Sequence, residues 1–389
     1  MRIVINGIGV AGPALAYWLT RTGHEVLLVE TAPRLRSGGY VVDFWGVGYD
    51  VVERMGLIDE VRGLGYQVHE VRVVDRLGKK SAGLDVDVFH RVTRGRFTSV
   101  RRSDISATMY RAVENKVETI FGDSVASIDQ EGSRVHVKFD HAPPRDVDLV
   151  IGADGLHSRV RRLAFAPQEV VEVPLGYHIA AFEVEGYPSR DELVYVSHSL
   201  PGRQIARLSL RDDRTMCLLI FRDEYMDEMA EPKALMHRVF AGAGWEWPEI
   251  ATAMDRADEI YFDTVAQIHM PRWTNGRVAL VGDAGACVSV MAGEGTGLAI
   301  FEAYVLAGEL HAAGGDVARA FAQYEQRLMP FVRAKQRSAA KFASSIAPAT
   351  SLGLHFRTLA MKLMRIPGLA DFAIGRSFRD EIESPDYRM

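Results

Sequence analysis

Arg2-Ile3-Val4-Ile5-Asn6-Gly7-Ile8-Gly9-Val10-Ala11-Gly12-Pro13 opens the chain, and Val26-Leu27-Leu28-Val29-Glu30 follows it. Arg2 to Asn6 is a run of branched apolar residues that reads as a buried strand, Gly12 to Arg21 reads as a helix, and Val26 to Glu30 reads as a second strand. The pattern is a βαβ unit whose first turn carries glycines spaced G-x-G-x-x-G at Gly7, Gly9 and Gly12. Gly7 permits the tight turn, Gly9 lets a pyrophosphate approach the backbone, and Gly12 lets helix and strand pack closely. Val10 and Ala11 complete the loop, and the helix N-terminus behind it offers unpaired N–H donors to phosphate. Glu30 ends the second strand 18 residues after Gly12, where an acceptor would meet the hydroxyls of an adenosine ribose. The motif predicts dinucleotide binding. It does not separate FAD from NAD, because both carry the same ADP half.

Composition limits what the rest can be. The 389 residues are 48% hydrophobic and 25% charged, enough for a deep core shared by two packed domains. A net charge of −5 gives no basic field, so nucleic acid is not expected as a partner. Two cysteines, Cys217 and Cys287, are too few and too far apart for a disulfide framework, which fits a reducing compartment such as the cytoplasm. The chain runs from Met1 straight into a strand with no leader pattern, and no stretch approaches the roughly 20 apolar residues of a membrane span. The 12 histidines form no H-x-x-x-H or H-E-x-x-H spacing and no serine sits in G-x-S-x-G, so neither a metal nor a serine nucleophile is expected.

Two further buried strands read as Val147 to Ile151 and Val278 to Val281, each running into Gly or Asp at what would be the carboxyl edge of a parallel sheet. Residues 173 to 222 alternate apolar and polar positions between turn clusters at Gly186-Tyr187-Pro188, Pro201-Gly202-Arg203 and Asp212-Asp213, the pattern of an antiparallel sheet. After Gly297 the chain turns helical, with Ala303, Leu306, Ala307 and Leu310 on one stripe and breaks expected at Pro330, Pro348 and Pro367. Trp245-Glu246-Trp247-Pro248 lies in the helical segment after the sheet and reads as packing.

Asp148-Leu149-Val150-Ile151-Gly152-Ala153-Asp154-Gly155-Leu156-His157-Ser158-Arg159-Val160-Arg161 and Gly276-Arg277-Val278-Ala279-Leu280-Val281-Gly282-Asp283-Ala284 place aspartates at two strand ends, and Gly293-Glu294-Gly295-Thr296-Gly297 then opens a helix. With the N-terminal glycines, these stretches resemble the three signatures of the class A flavoprotein monooxygenases, the p-hydroxybenzoate hydroxylase superfamily, over nearly the whole chain. The resemblance implies an α/β protein with a Rossmann-like FAD-binding domain in two parts (1–172 and 262–345), an inserted, mainly antiparallel substrate-binding sheet (173–261) and a C-terminal helical extension (346–389). It implies FAD as cofactor, NADPH or NADH as a transient reductant, and O2 as co-substrate reacting through a flavin C4a-hydroperoxide.

The same resemblance assigns cofactor contacts. Asp283 would hold a ribityl hydroxyl, and Asp154 would stand at the neighbouring strand end. Gly293, Gly295, Thr296 and Gly297 would face the flavin N1/O2 edge with their backbone. Arg102, beside Arg101, would open a helix against the flavin, and Arg36 would lie near the adenosine or flavin. The substrate would sit between the flavin and the inserted sheet, lined by alternate residues such as Tyr195, Met216 and Leu218. A separate catalytic triad is not expected, because the cofactor carries the chemistry. Departures from the family pattern follow Asp283, where Gly285, Ala286, Cys287, Ser289 and Val290 replace a histidine and prolines, and Gly297 replaces a frequent asparagine.

A looser likeness is to tetracycline-inactivating flavin monooxygenases, carried by Gly12-Pro13-Ala14, Ala16-Tyr17-Trp18-Leu19, Arg36-Ser37-Gly38-Gly39 and a helical stretch at the C-terminus. It implies a bulky aromatic or polyketide-like substrate, whether met in antibiotic inactivation or in biosynthetic tailoring. Two other uses of the same fold stay open: an oxygen-independent FAD-dependent reductase or dehydrogenase, and a flavin-carrying protein that only binds a ligand. Oligomeric state is not legible. The helical stretch Leu352 to Met364, with Leu352, Phe356, Leu359 and Leu363 on one side, is expected to dock on its own domain.

Overall fold

The computed structural model describes residues 1–36, 40–188, 191, 193–289, 291, 293–364 and 382–389, and for 342–344 the backbone alone. Ser37, Gly38, Gly39, Val290 and Pro367 lie outside the described residues.

Strands that are apolar on both faces can only be buried on both faces, and the runs RIVIN, EVLLVE and LVIG obey this. They form a six-stranded sheet in the order Thr274–Asn275, Val278–Leu280, Leu149–Gly152, Arg2–Asn6, Glu25–Glu30, Glu118–Phe121. Neighbours among the last five pair in parallel, and Thr274–Asn275 adds a short antiparallel edge. Asn6 is in register with Gly152 and Val29, and Gly152 with Leu280. The residues that follow these strands, Gly7, Glu30, Ala153 to Gly155, and Gly282 with Asp283, are therefore delivered to one edge of the sheet. The expected strand Val147 to Ile151 is divided: Arg145–Val147 pairs in a three-stranded side sheet and Leu149–Gly152 in the main one.

Helix Ala11–Arg21 packs against the long helix Gly295–Ala312, with the Trp18 and Tyr304 rings 5.0 Å apart edge to face. The stripe expected on the second helix understates its burial, since Thr296 to Leu310 is buried throughout. Neighbours press on it from several sides, including the chain terminus: Tyr387 donates to Glu309 Oε1 at 2.6 Å, Tyr304 donates to the Pro385 carbonyl at 2.7 Å, and a Cβ on Gly308 would meet the Tyr387 ring at 2.1 Å. This tail, 382–389, is not helical, which corrects the expectation of an all-helical extension from 346 onward. Pro330 also fails to break its helix, which runs from Val317 to Ile346. Leu328 and Val332 on either side of the proline are fully buried, and that packing offsets the roughly 3 kcal/mol of an interior proline. Pro348 does fall in a break, before helix Ser351–Leu363, whose first turn is capped by Thr350 Oγ1 accepting from Gly353 N at 3.1 Å.

The second sheet has seven strands in the order Tyr261–His269, Val171–Glu185, Arg214–Arg222, Arg203–Ser209, Val194–Leu200, Glu70–Val74, Lys80–Asp85. It is antiparallel except where Val194–Leu200 meets Glu70–Val74 in parallel. Strands from 70–85 and 261–269 thus extend it beyond the stretch 173–261. Its outward face, with Cys217, Leu219 and Phe221, is covered by helices Pro232–Val239 and Trp247–Arg256. Trp245 and Trp247 belong to this packing, Trp245 with its ring under the Arg207 guanidinium. The other face carries Leu208 and Met216 toward a two-stranded ribbon, Val41–Trp45 with Phe97–Arg101, and the Met216 sulfur accepts from Val41 N at 3.2 Å.

Candidate functional site

The phosphate loop is shaped by close approach. Gly7 has φ +113° and donates to the Val29 carbonyl at 2.7 Å, and a Cβ there would sit 2.4 Å from the Ala153 carbonyl oxygen. A Cβ on Gly12 would lie 2.0 Å from the Gly7 carbonyl oxygen. Both glycines stand behind a cleft of about 830 Å³, open mouth included, a size suited to a cofactor. Gly9, Val10 and Ala11 form one wall; Ala153 and Gly155 come from the second strand end; Val281 and Asp283 come from the third; Gly293, Gly295 and Thr296 close it, with Arg102 opposite.

The donor set fits an anionic dinucleotide. Helices Ala11–Arg21 and Gly295–Ala312 both begin at this cleft, neither has a side-chain cap, and neither has an acid in its first turn. Their first N–H groups and positive dipole ends therefore point at whatever the cleft holds, where they favour negative charge. Gly297 lines an adjoining hollow with Asp43, Trp45 and Lys335.

Three carboxylates at the sheet edge are employed differently. Asp154 accepts from Asn6 Nδ2 (3.0 Å), Ser158 Oγ (2.5 Å), Arg159 N (2.7 Å) and Val160 N (3.1 Å), so it caps the next helix and does not line the cleft. Glu30 accepts from Ile8 N at 2.8 Å and Ala32 N at 3.0 Å, tying the phosphate loop to its own strand end. Asp283 opens helix Asp283–Ala286 and faces the cleft. Beneath it lies Glu302, fully buried, whose Oε2 accepts from Gly282 N at 2.6 Å while Oε1 has no partner. Burial, aided by Asp283, pushes the Glu302 carboxyl up to about 8 against the Gly282 hydrogen bond. A lone glutamate in the apolar run Leu298 to Leu306 was the signal for it, and sequence reasoning passed it over.

The two adjacent arginines separate cleanly. Arg101 pairs with Glu183 at 3.5 Å on the side of the second sheet, whereas Arg102 begins helix Arg102–Arg111 and lines the cleft. Arg36 is 81% exposed, 4.0 Å from Glu30 Oε1, and does not line the cleft. Across from the phosphate loop stand Tyr40, Tyr261 and Thr264, none of them expected from the sequence. The Tyr40 and Tyr261 rings are 5.6 Å apart, and burial, partly offset by Arg102, pushes the Tyr40 phenol up to about 12, so it stays a neutral donor. Cys287 also lines the cleft; burial and the neighbouring Asp283 hold its thiol well above the usual range, so no thiolate chemistry is expected.

Of the residues expected to meet substrate, Tyr195 and Met216 share one apolar cluster with Tyr40 and Trp45, in a row through Leu208 that crosses the sheet, and neither lines the cleft. Leu218 lies apart, with Ile220, Val265 and Met291. Among the described residues no group of histidine, cysteine and acidic side chains could hold a metal ion, and no helix is long and apolar enough to cross a membrane.

Comparison with known proteins agrees with this geometry. The FAD binding domain family model matches residues 1–339. An uncharacterized protein of Mycobacterium tuberculosis is 39% identical over 346 residues, covering 86% of this chain and 91% of that one. A flavin-dependent monooxygenase of Legionella longbeachae is 33% identical over 354 residues, covering 87% of each. The crystal structure of tetracycline destructase Tet(55) superposes with a TM-score of 0.85 at 30% identity, covering 99% of this chain and 98% of that one. With the matching model spanning the cradle, the cleft and both aspartate-bearing strand ends, the chain belongs to the FAD-binding-domain family of class A flavin-dependent monooxygenases.

Proposed function

We propose that the protein hydroxylates an aromatic or polycyclic, polyketide-like substrate with O2, using NADPH or NADH as reductant. The observation that carries this reading is the uncapped double-helix cradle at the cleft together with the wall that the second sheet gives that cleft through Tyr261 and Thr264, beside Tyr40. The chemistry FAD supplies when bound is acceptance of two electrons from the nicotinamide and activation of O2.

The chain's own tasks follow from placement. Gly7, Gly9 and Gly12 would bring the backbone against the pyrophosphate, with Glu30 steadying that loop for the ribose. Asp283 would accept from a ribityl hydroxyl, and Gly293 to Gly297 would turn backbone donors on the flavin ring. Arg102 would add a cation at the cleft, and Tyr40 a neutral hydroxyl donor. Asp154 and Arg36 would act at most through neighbours. The sheet face bearing Tyr195 and Met216 would exclude water from the reacting ring. The likeness to a tetracycline destructase supports a multi-ring substrate of tetracycline type.

The test is NADPH and O2 consumption by the purified holoenzyme with phenols, anthraquinones and tetracyclines. The reading expects at least one multi-ring compound to stimulate both and to gain one oxygen atom. NADPH oxidation that continues unchanged without O2 would make the protein a reductase. No oxidation with any compound would make it a flavin-carrying binding protein.

A further inference from the structure

Helix Ser351–Leu363 leaves its apolar stripe outside the protein. Leu352, Phe356, Leu359 and Leu363 recur at the spacing of one helix side, within about 60° of each other around the axis. Each is nevertheless between 46% and 66% exposed. The helix does dock on its own domain, but by its other side. There Arg357 donates to Ser199 Oγ at 2.8 Å, Leu354 and Met361 are half-buried, and Met364 at the C-terminal end meets Val88. The remaining exposed large apolar residues among those described, Leu77, Leu163, Val171, Met229 and Tyr261, are each isolated in sequence, whereas these four make one row.

The chain around this row is cationic. From Gln326 to Ala370 it carries eight Lys and Arg residues and no Asp or Glu, although the net charge of the whole is −5. Arg327 and Lys335 are taken up by Glu309 at 3.1 Å and Glu294 at 2.9 Å. Arg333, Arg337, Lys341 and Lys362 are exposed, and Lys362 and His355 flank the row on the helix itself. The hairpin of Glu70–Val74 and Lys80–Asp85, whose second strand the helix packs on, adds Leu77, 91% exposed, with Arg76 and Lys79 beside it. The hairpin tip and the start of the helix stand at one end of the sheet. His198 is in register with Val74, and Gly202 N, just past strand Val194–Leu200, donates to the Pro348 carbonyl at 2.8 Å.

The charge decides what fits this surface. A second copy of the chain would face one cationic rim with another, a like-charge contact that disfavours pairing. An anionic bilayer offers acyl chains to the apolar row and headgroups to the cations beside it. We propose that helix Ser351–Leu363 is a membrane-surface anchor, laying Leu352, Phe356, Leu359 and Leu363 into the interface of an anionic phospholipid bilayer with Lys362 at the rim and Leu77 as a second contact. The helix lies along the surface, since no helix among the described residues is long and apolar enough to cross a membrane. The inference stands apart from the monooxygenase reading, and its test uses no turnover.

The test is flotation of FAD-loaded protein with vesicles of phosphatidylcholine alone or of phosphatidylglycerol and phosphatidylcholine in equal parts, at low salt. Wild type is expected to bind the anionic vesicles at least tenfold better than the neutral ones. Replacing both Phe356→Ser and Leu359→Ser is expected to lower that binding at least tenfold with flavin content unchanged, and Lys362→Glu to lower it severalfold. Wild type that floats with neither vesicle, or equally with both, would overturn the proposal. Undiminished binding by the double variant would place the lipid contact elsewhere and overturn it as well. If the double variant does not fold, Lys362→Glu decides, and binding equal to wild type overturns the anchor. A dimer in velocity sedimentation that the double variant loses, without lipid binding by wild type, would assign the row to a second copy instead.

Discussion

The strand ends carrying Asp154 and Asp283 are built alike and used differently. Both strands are parallel neighbours in one sheet, and each leads through a glycine and an aspartate into a short helix. Asp154 meets four donors, two of them backbone N–H groups of its own helix, and is consumed by the fold. Asp283 starts its helix directly, its preceding N–H is taken by Glu302, and its carboxylate turns to the cleft. A motif sets where a carboxylate stands, and the donors around it decide whether it serves structure or ligand.

The sharpest break is steric and precedes both aspartates. Gly12→Ala would force a methyl group 2.0 Å from the Gly7 carbonyl oxygen, so a stability loss of about 3 kcal/mol and loss of bound FAD are expected from urea unfolding and flavin absorbance. Next comes the aspartate pair. Asp154→Ala is expected to lower apoprotein stability by about 2 kcal/mol or more, because it strands the helix donors it caps. Asp283→Ala is expected to leave apoprotein stability within about 0.5 kcal/mol and to weaken FAD binding by about 1.5 to 3 kcal/mol. If the two variants exchange these behaviours, the contrast is wrong.

A smaller effect is expected beneath Asp283. Above pH 5 the unfolded chain has lost the Glu302 proton, whereas the folded chain keeps it up to about pH 8. Unfolding in that window releases a proton, so the Glu302 contribution is complete below about pH 4.5, falls as pH rises, and is gone above about 8. Relative to Glu302→Gln, wild type should lose about 2 kcal/mol between pH 6 and pH 7.5, at about 1.4 kcal/mol per pH unit. Parallel pH profiles for the two proteins would contradict a protonated Glu302. The smallest effect concerns the second sheet: Tyr195→Phe keeps the ring and should leave FAD affinity within about 0.5 kcal/mol, while a larger change would place Tyr195 in the cofactor site.

These regions also differ in how far they can be read without coordinates. Gly7 and Gly12 announce themselves because steric demands fix residue type at fixed spacing, and Asp283 because apolar runs locate strand ends. The partner of a strand is a long-range fact, so nothing local in Glu70–Val74 tells that it lies parallel to Val194–Leu200 in a distant sheet. For the same reason Tyr40, Tyr261 and Thr264 pass as ordinary positions in or next to strands until the fold sets them around one cleft. The Pro330 helix and the tail at Tyr387 are decided by tertiary packing against helix Gly295–Ala312, which overrides local propensity. Arg101 and Arg102 could be told apart only once the strand–helix junction between them was placed.

The cradle claim is tested most directly by denaturing the purified protein and identifying the released cofactor by chromatography against FAD and FMN standards. One FAD per chain is predicted, either as isolated or after reconstitution, because pyrophosphate loop, strand-end aspartate and glycine-rich helix start converge on one cleft. Colourless protein that refuses added FAD, or a chain that retains FMN in its place, would contradict the account.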